Sequence, residues 1–426
     1  MPAEVSSRIN PPQDATAAVV AHLGARAGRL LMMHGADTDH AQQRVTGIVH
    51  DLGHEAHVFI SAEAILLTVG SGSQFRTKVG HQMTGPGVDM TRLMYLEQLL
   101  DAVHQQPMAP DVIDARLDVI EHEPVGYSVF LIMLGVAVTA GSLARLFGAN
   151  WPVVGAAFIA GCCSILVRSL LALQRVNAIA SVFVTALVSG LLGTLVLRLE
   201  PSASPVLCLT AAGMILVPGV PLINGVRELV DGHAGNGIAR LAISALIVLV
   251  IGFALLLATT VAGDALPVDA APGTLPVLED VLFSALAAIG YALLFNVPMA
   301  SMWVCILCGA LSHGTRTALS STVLGIAGGS LVGAFVAGVI ARLAGRHYRV
   351  PAVTFAFPGI VAMIPGSYGF RAGIGGLHLM TLGKGAPLGL IAETLALAIT
   401  AVVVTIAIAA GLSLALSCGS RACGPH

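Results

Sequence analysis

The sequence predicts a mainly α-helical polytopic membrane protein of about ten transmembrane helices in two five-helix repeats, preceded by a small α+β domain. Three observations lead there. Only 10% of the 426 residues are charged and 56% are hydrophobic, where an ordinary soluble domain carries ~25% charge, and the mean hydropathy is +0.87. The charge is concentrated at the front: residues 1–124 hold 15 acidic and 8 basic side chains, whereas residues 125–426 hold 8 and 13. Ten apolar stretches follow, most long enough to cross ~30 Å of hydrocarbon. A chain soluble throughout is excluded. A net charge of −2 without a basic cluster also excludes nucleic acid, whose phosphates need many Lys and Arg. The expected divisions are 1–124, 125–262 and 263–426.

In the first region, apolar residues from Ala15 to Met33 recur at helical spacing, and His34-Gly35 supplies a stop. A second helix is expected from the Asp37-Thr38-Asp39 cap to Gly53. The period then changes to two short strands, His57–Ile60 and Ala64–Val69, followed by Gly-rich turns at 70–72 and 85–87. Helices resume over Thr91–Gln105 and Ala109–His122. The first 30 residues lack a basic segment ahead of an apolar core, so no cleavable signal is predicted and the domain is expected in the cytosol.

Nine of the 14 histidines fall in this domain. His50-Asp51, with His54 one turn on, admits a metal-hydrolase reading in which the helices are only an anchor. No H-E-x-x-H signature accompanies the pair, and ten spans are too many for an anchor. Solvated His and Asp around a cap are the preferred account, and no metal or cofactor is expected. Of seven cysteines, Cys305 and Cys308 form a C-x-x-C inside an apolar run, which reads as small thiols packing between helices.

The ten expected crossings lie near 125–147, 150–167, 177–197, 204–223, 238–262, 277–295, 297–312, 318–340, 351–370 and 386–416. With the N-terminus in the cytosol, nine Lys and Arg fall on inside segments and five, Arg316 and Arg371 among them, on outside loops, the asymmetry expected of cytosolic termini at both ends. Met214 to Pro221 and Val361 to Gly366 are both apolar runs broken by Pro-Gly, and each is the fourth span of a group of five. Five being odd, the second group enters the membrane inverted relative to the first.

Proline lacks an amide hydrogen and glycine admits non-helical backbone, so Pro218, Gly219, Pro221, Pro365 and Gly366 should open the ladder and bare main-chain dipoles. Bared groups at membrane depth persist only where protein or a water-filled cavity covers them, and a half-helix N-terminus there suits an anion. Asn224, Arg227, Glu228 and Asp231 follow the first break at one-face helical spacing, and Tyr368 and Arg371 follow the second. An Arg in this setting takes a carboxylate bidentately while an acid accepts an amino group. Glu393, an intramembrane carboxylate, and Asp231 are the candidate proton carriers. Glu279 and Asp280 read as interfacial. No phosphate-cradling Gly-rich loop with Lys-Ser/Thr is present, which argues against ATP drive.

The chain resembles the bacterial threonine/serine exporter family. The resemblance rests on Gly35-Ala36-Asp37-Thr38, on Gly87 to Leu93, on Leu146-Phe147-Gly148, on Leu216 to Leu222 with Asn224-Gly225, and on Pro365-Gly366 followed by Arg371. It implies an inner-membrane exporter of threonine and serine driven by the proton motive force, with both halves fused in one chain. The expected partners are a small amino acid, protons and the lipid bilayer, and self-association is compatible with the sequence. Related two-chain systems export dicarboxylates such as succinate, which is the alternative substrate class.

Overall fold

A computed structural model describes residues 17–71, 74–80, 88–122, 126–198, 205–263 and 275–417. Gly72, Gly85, Gly87, Asp264, Asp269, Cys418, Cys423 and the expected boundary at Pro124 lie outside them. The chain divides into two compact units, Met1–Val88 with Arg92–Pro124, and Asp89–Thr91 with Val125–His426.

The first unit opens with α1 (Ala17–Met33) and α2 (Thr38–Asp51), and Asp37 caps α2 by accepting from the His40 amide at 2.9 Å. Gly53, at φ 82°, takes the left-handed backbone that closes α2. Three antiparallel strands follow in the order β1 (Glu55–Ile60), β2 (Ile65–Ser71) and β3 (Gln74–Gly80), with Thr68 opposite Thr77. Ile65, Leu67 and Val69 are buried on the inner face. Gly24 and Gly28 let α1 lie close on it, since a Cβ at Gly24 would meet Leu67 and one at Gly28 would meet Val45 and Ile65. The third strand corrects the sequence reading, which ended the sheet at Val69. Its Phe75 and Val79 are exposed and Arg76 and Lys78 carry charge, so no apolar face announced it. Helices α3 (Met90–Gln105) and α4 (Pro110–His122) complete the unit.

Arg26 and Arg29 of α1 fasten α4. Arg26 donates to Asp114 at 2.8 Å, to Asp118, and to Glu121 at 2.8 Å, while Arg29 donates to Glu121 at 2.6 Å. Burial acts to raise the Glu121 carboxyl, but hydrogen bonds and charge from Arg29 and Arg26 outweigh it and hold it below the usual carboxylate range. Across α2 and α3, His40 Nε2 meets the buried Glu97 carboxylate at 2.6 Å, and Arg44 reaches the same carboxylate at 2.9 Å. Burial lowers the His40 pKa, yet the Glu97 hydrogen bond and the charges of Glu97 and Asp37 more than offset it, so the net shift is upward. A raised imidazole stabilises the fold fully below its unfolded value of ~6.5. That contribution is lost as pH rises through the folded value. The melting-temperature gap between wild type and His40→Gln should therefore be wide at about pH 5.5 and narrow at about pH 9. An equal gap at both would remove His40–Glu97 as a charged pair.

The second unit begins with α5 (Val129–Leu146), α6 (Trp151–Leu173) and α7 (Ala178–Leu197), capped by the Ser128, Asn150 and Asn177 side chains. Then come α8 (Pro205–Met214), α9 (Gly219–Val230) and α10 (Ala234–Ala262). A second set follows: α11 (Val277–Leu294), α12 (Met302–Ser320), α13 (Gly325–Tyr348), α14 (Val353–Ile360), α15 (Gly366–Leu382) and α16 (Leu388–Ser417). In the first set α5 packs on α6, α6 on α7, α7 and α9 on α10, and α8 lies against α5, α6 and α7. In the second, α11 packs on α12, α12 on α13, α13 and α15 on α16, and α14 lies against α11, α12 and α13. Spacing along the chain agrees: α7 and α13 start at Ala178 and Gly325, α9 and α15 at Gly219 and Gly366. The sets join through α5 on α11 and crosswise through α10 on α15 and α9 on α16.

Among the described residues seven helices are long and apolar enough to cross a membrane, or eight if the pair Val353–Met363 and Gly366–Gly385, bent by 47°, is one span. Two of the ten expected crossings fail that measure for visible reasons. The one near 204–223 is split into α8 and α9. The one near 297–312 becomes α12, which continues through Ser312-His313 and Thr315-Arg316-Thr317 to Ser320. Cys305 and Cys308 are fully buried there, and the Cys308 thiol donates to the Ala337 carbonyl at 3.6 Å.

Candidate functional site

Each break has the same local chemistry. After α8, the Gly219 amide bonds back to the Val217 carbonyl at 2.8 Å around Pro218, whose φ of −77° and ψ of 72° make an inverse γ-turn. After α14 and a short 3₁₀ turn at Val361–Met363, the Gly366 amide bonds to the Ile364 carbonyl at 2.8 Å around Pro365, at φ −78° and ψ 42°. The ring fixes φ and has no hydrogen to donate, so each proline ends one half-helix and caps the next. The breaks also touch. A Cβ at Gly219 would strike Ile364, and one at Gly366 would come within 2.8 Å of Val217. The reciprocity places Val217-Pro218-Gly219 and Ile364-Pro365-Gly366 against each other.

The polar residues expected beside the breaks are less united. Asn224, Arg227 and Glu228 are buried on α9, Arg227 Nη1 donates to Asn224 Oδ1 at 3.4 Å, and Glu228 pairs with Arg240 of α10 at 3.0 Å. Arg371, in the register position of Asn224, is buried on α15, so its expected place in an outside loop is corrected. That helix runs on to Leu382, and protein shelters Arg371 within it. Pro221 is half-buried in the first turn of α9. Asp231 is exposed at the end of α9, and Glu393 is half-buried in the second turn of α16.

A cavity of about 520 Å³ adjoins the second break. Met363, Ile364 and Pro365 form one wall, Ser367 and Tyr368 the first turn of α15, and Met214 closes it from α8. Opposite stand Asp280 of α11 and His313, Arg316 and Thr317 of α12. Asp280 and His313 are 3% and 2% exposed. The Asp280 carboxylate meets His313 Nδ1 at 2.6 Å with one oxygen and accepts from the Thr317 hydroxyl at 2.8 Å with the other. Arg316 Nη1 reaches the Met363 carbonyl, bared by the break, at 3.5 Å. The sequence reading missed this cluster. It took Asp280 as interfacial and put Arg316 outside, because hydropathy falls at Ser312-His313. The signal available was three polar residues, His313, Arg316 and Thr317, at one-face helical spacing.

Among the described residues no group of three or more His, Cys, Asp and Glu is placed to hold a metal ion. Asp51 is engaged by His104 Nδ1 at 3.0 Å, and His54 Nδ1 meets the Leu52 carbonyl at 2.9 Å.

Apolar helices around a cavity that holds Asp280, His313 and Arg316 beside a broken helix are the arrangement of a membrane transporter for small solutes. The chain belongs to the threonine/serine exporter family: a family model described as "Putative threonine/serine exporter" matches residues 22–262, and a second, "Threonine/Serine exporter, ThrE", matches residues 280–418. A "Threonine/serine exporter" of Corynebacterium glutamicum is 22% identical over 85% of this chain and 77% of its own length. The "Probable succinate transporter subunit YjjP" of Klebsiella aerogenes is 26% identical over 55% of this chain and 90% of its own length. Its Escherichia coli K12 counterpart is 26% identical over 57% and 95%. No solved structure matches.

Proposed function

We propose that this protein exports threonine and serine across the bacterial inner membrane, driven by the proton motive force, with both termini in the cytoplasm. The reading takes α8 with α9, and α14 with α15, as one broken crossing each and counts α12 as a crossing. That makes ten spans in two inverted repeats, residues 125–262 and 263–426, behind a cytosolic domain of residues 1–124. The repeated packing of the two helix sets supports this. The observation that carries the function is the meeting of the two Pro-Gly breaks, which supplies half-helix ends for a small charged solute at membrane depth. Pro218, Gly219, Pro365 and Gly366 shape the centre. Pro221, Asn224, Arg227, Glu228 and Arg371 form its polar flank, and Asp231 and Glu393 are the acidic groups assigned to proton movement. Export of a dicarboxylate is the second reading, favoured by the two succinate-transporter relatives.

Counterflow in proteoliposomes with a panel of amino acids and dicarboxylates decides between them. Labelled threonine should exchange against unlabelled threonine and serine but not against succinate. Pro218→Ala, Asn224→Ala and Arg227→Ala should each slow threonine exchange by roughly tenfold, ~1.4 kcal/mol, at unchanged protein abundance. Wild-type exchange in all three would remove the site assignment.

A further inference from the structure

We propose that the cavity beside the second break is an α-amino-acid subsite, in which Arg316 takes the carboxylate and His313, held by Asp280, takes the ammonium group in competition with a proton. This rests on the transporter reading above.

Arg316 has the chemistry of a carboxylate anchor. Its guanidinium lies in the cavity wall against the Met363 carbonyl, and among the described residues no Asp or Glu stands within ion-pair distance of it. The second break adds donors. Gly366 and Gly369 use their amides on Ile364 and Pro365, whereas those of Ser367 and Tyr368 make no backbone bond among the described residues and open the first turn of α15. The first break offers fewer, because Pro221 stands where Tyr368 does and has no amide hydrogen. An anion at the second break therefore meets a planar cation and a half-helix N-terminus together.

The other pole is His313. Asp280 engages Nδ1, and Thr317 takes the second carboxylate oxygen, so the imidazole is held in orientation and Nε2 has no partner among the described residues. With Nδ1–H donated to Asp280, the neutral ring presents a lone pair at Nε2 to the cavity. His313 and Arg316 lie one turn apart on α12, roughly 5–6 Å between Cβ atoms. That spacing suits a small molecule whose carboxylate and ammonium share one carbon.

Charge decides the coupling. Asp280 and Arg316 cancel when His313 is neutral, and a zwitterion leaves the sum at zero. A proton on Nε2 removes the acceptor and sets a cation against the ammonium group, so amino acid and proton exclude each other, as exchange requires. A dicarboxylate behaves oppositely: its added negative charge favours a protonated His313, because uncompensated charge at membrane depth is costly. Other charge facing the cluster is already paired or distant. Glu279 of α11 pairs with Arg145 of α5 at 2.7 Å, and α14 carries no titratable side chain. The α15 helix brings Tyr368 to the cavity and carries Arg371 and His378 one and three turns further on, outside its lining, and Arg342, Arg346 and His347 stand in the last turns of α13.

The test is equilibrium binding of threonine and, separately, succinate to the full-length protein in nanodiscs between about pH 4 and about pH 8. Threonine affinity should rise with pH, up to about tenfold per unit while His313 is protonated, and each threonine bound should expel a proton. His313→Gln should flatten the profile, and Arg316→Gln should weaken threonine at least roughly tenfold with an unchanged melting temperature, Arg316→Lys recovering part of it. Threonine binding that is independent of pH, or that takes up protons, in the wild type overturns the proposal without any variant. Succinate binding that strengthens on acidification, with no threonine binding, overturns the amino-acid assignment here and in the function above. Threonine binding that survives Arg316→Gln unchanged overturns the subsite alone.

Discussion

Replacing Gly290 with alanine is expected to lower the stability of the membrane unit by about 3 kcal/mol or more, the upper end of what overpacking costs. A Cβ at Gly290 would strike the Gly135 backbone and the Thr139 hydroxyl. Backbone cannot rotate aside, so α5 and α11 would have to separate. Their contact joins the two helix sets directly, and Thr139 Oγ1 bridges it by donating to Gly135 O at 3.0 Å and Ala287 O at 3.2 Å. Small residues gain their value in membranes through such close approach, since lipid is as apolar as leucine. Thermal unfolding in detergent measures the loss. Gly376→Ala is the control, because a Cβ there has nothing within 4 Å. Equal melting of the two variants would mean that the crossing is not tightly packed.

Gly219→Ala should impair both transport and stability, and Ile364→Val should restore much of each. The obstacle at Gly219 is the terminal methyl of Ile364, which valine lacks; the next atoms, Ile364 Cγ1 and Val361 Cγ1, lie at 3.7 Å, an ordinary contact. Ile364→Val alone should cost ~0.5–1.5 kcal/mol, and the pair should show a coupling of about 1 kcal/mol or more in a double-mutant cycle. Gly366→Ala is the contrasting case. There Val217→Ala removes the two methyls at 2.8 and 3.1 Å but keeps the Cβ at 3.2 Å, so its rescue should be partial and smaller than that of Ile364→Val at Gly219. Additive costs at Gly219 and Ile364 would separate the two breaks and remove the centre of the proposed site.

Much of this was legible in local pattern. The helices around residues 129–146, 178–197, 234–262 and 277–294 declare themselves because an apolar run of that length admits few other structures in lipid. The Pro-Gly breaks were equally plain, since the missing amide is a covalent property of proline. What escaped was polarity that folding hides. Sequence alone read Ser312 to Thr317 as a boundary between spans, yet α12 carries them as helix, for Asp280, thirty-odd positions earlier, bonds both His313 and Thr317. β3 escaped for the converse reason: its side chains point largely to solvent, and pairing with β2 and packing against α1 hold it.

The sequence by itself determined the membrane class, the order of the helices and the places where the main chain must break, because hydropathy and proline act over neighbouring residues. Only the tertiary structure decided that the breaks at Pro218 and Pro365 touch, and that Arg316 and the Asp280–His313 pair share one cavity. Those contacts join residues far apart along the chain, and burial and charge compensation between such residues exist only once the helices have packed.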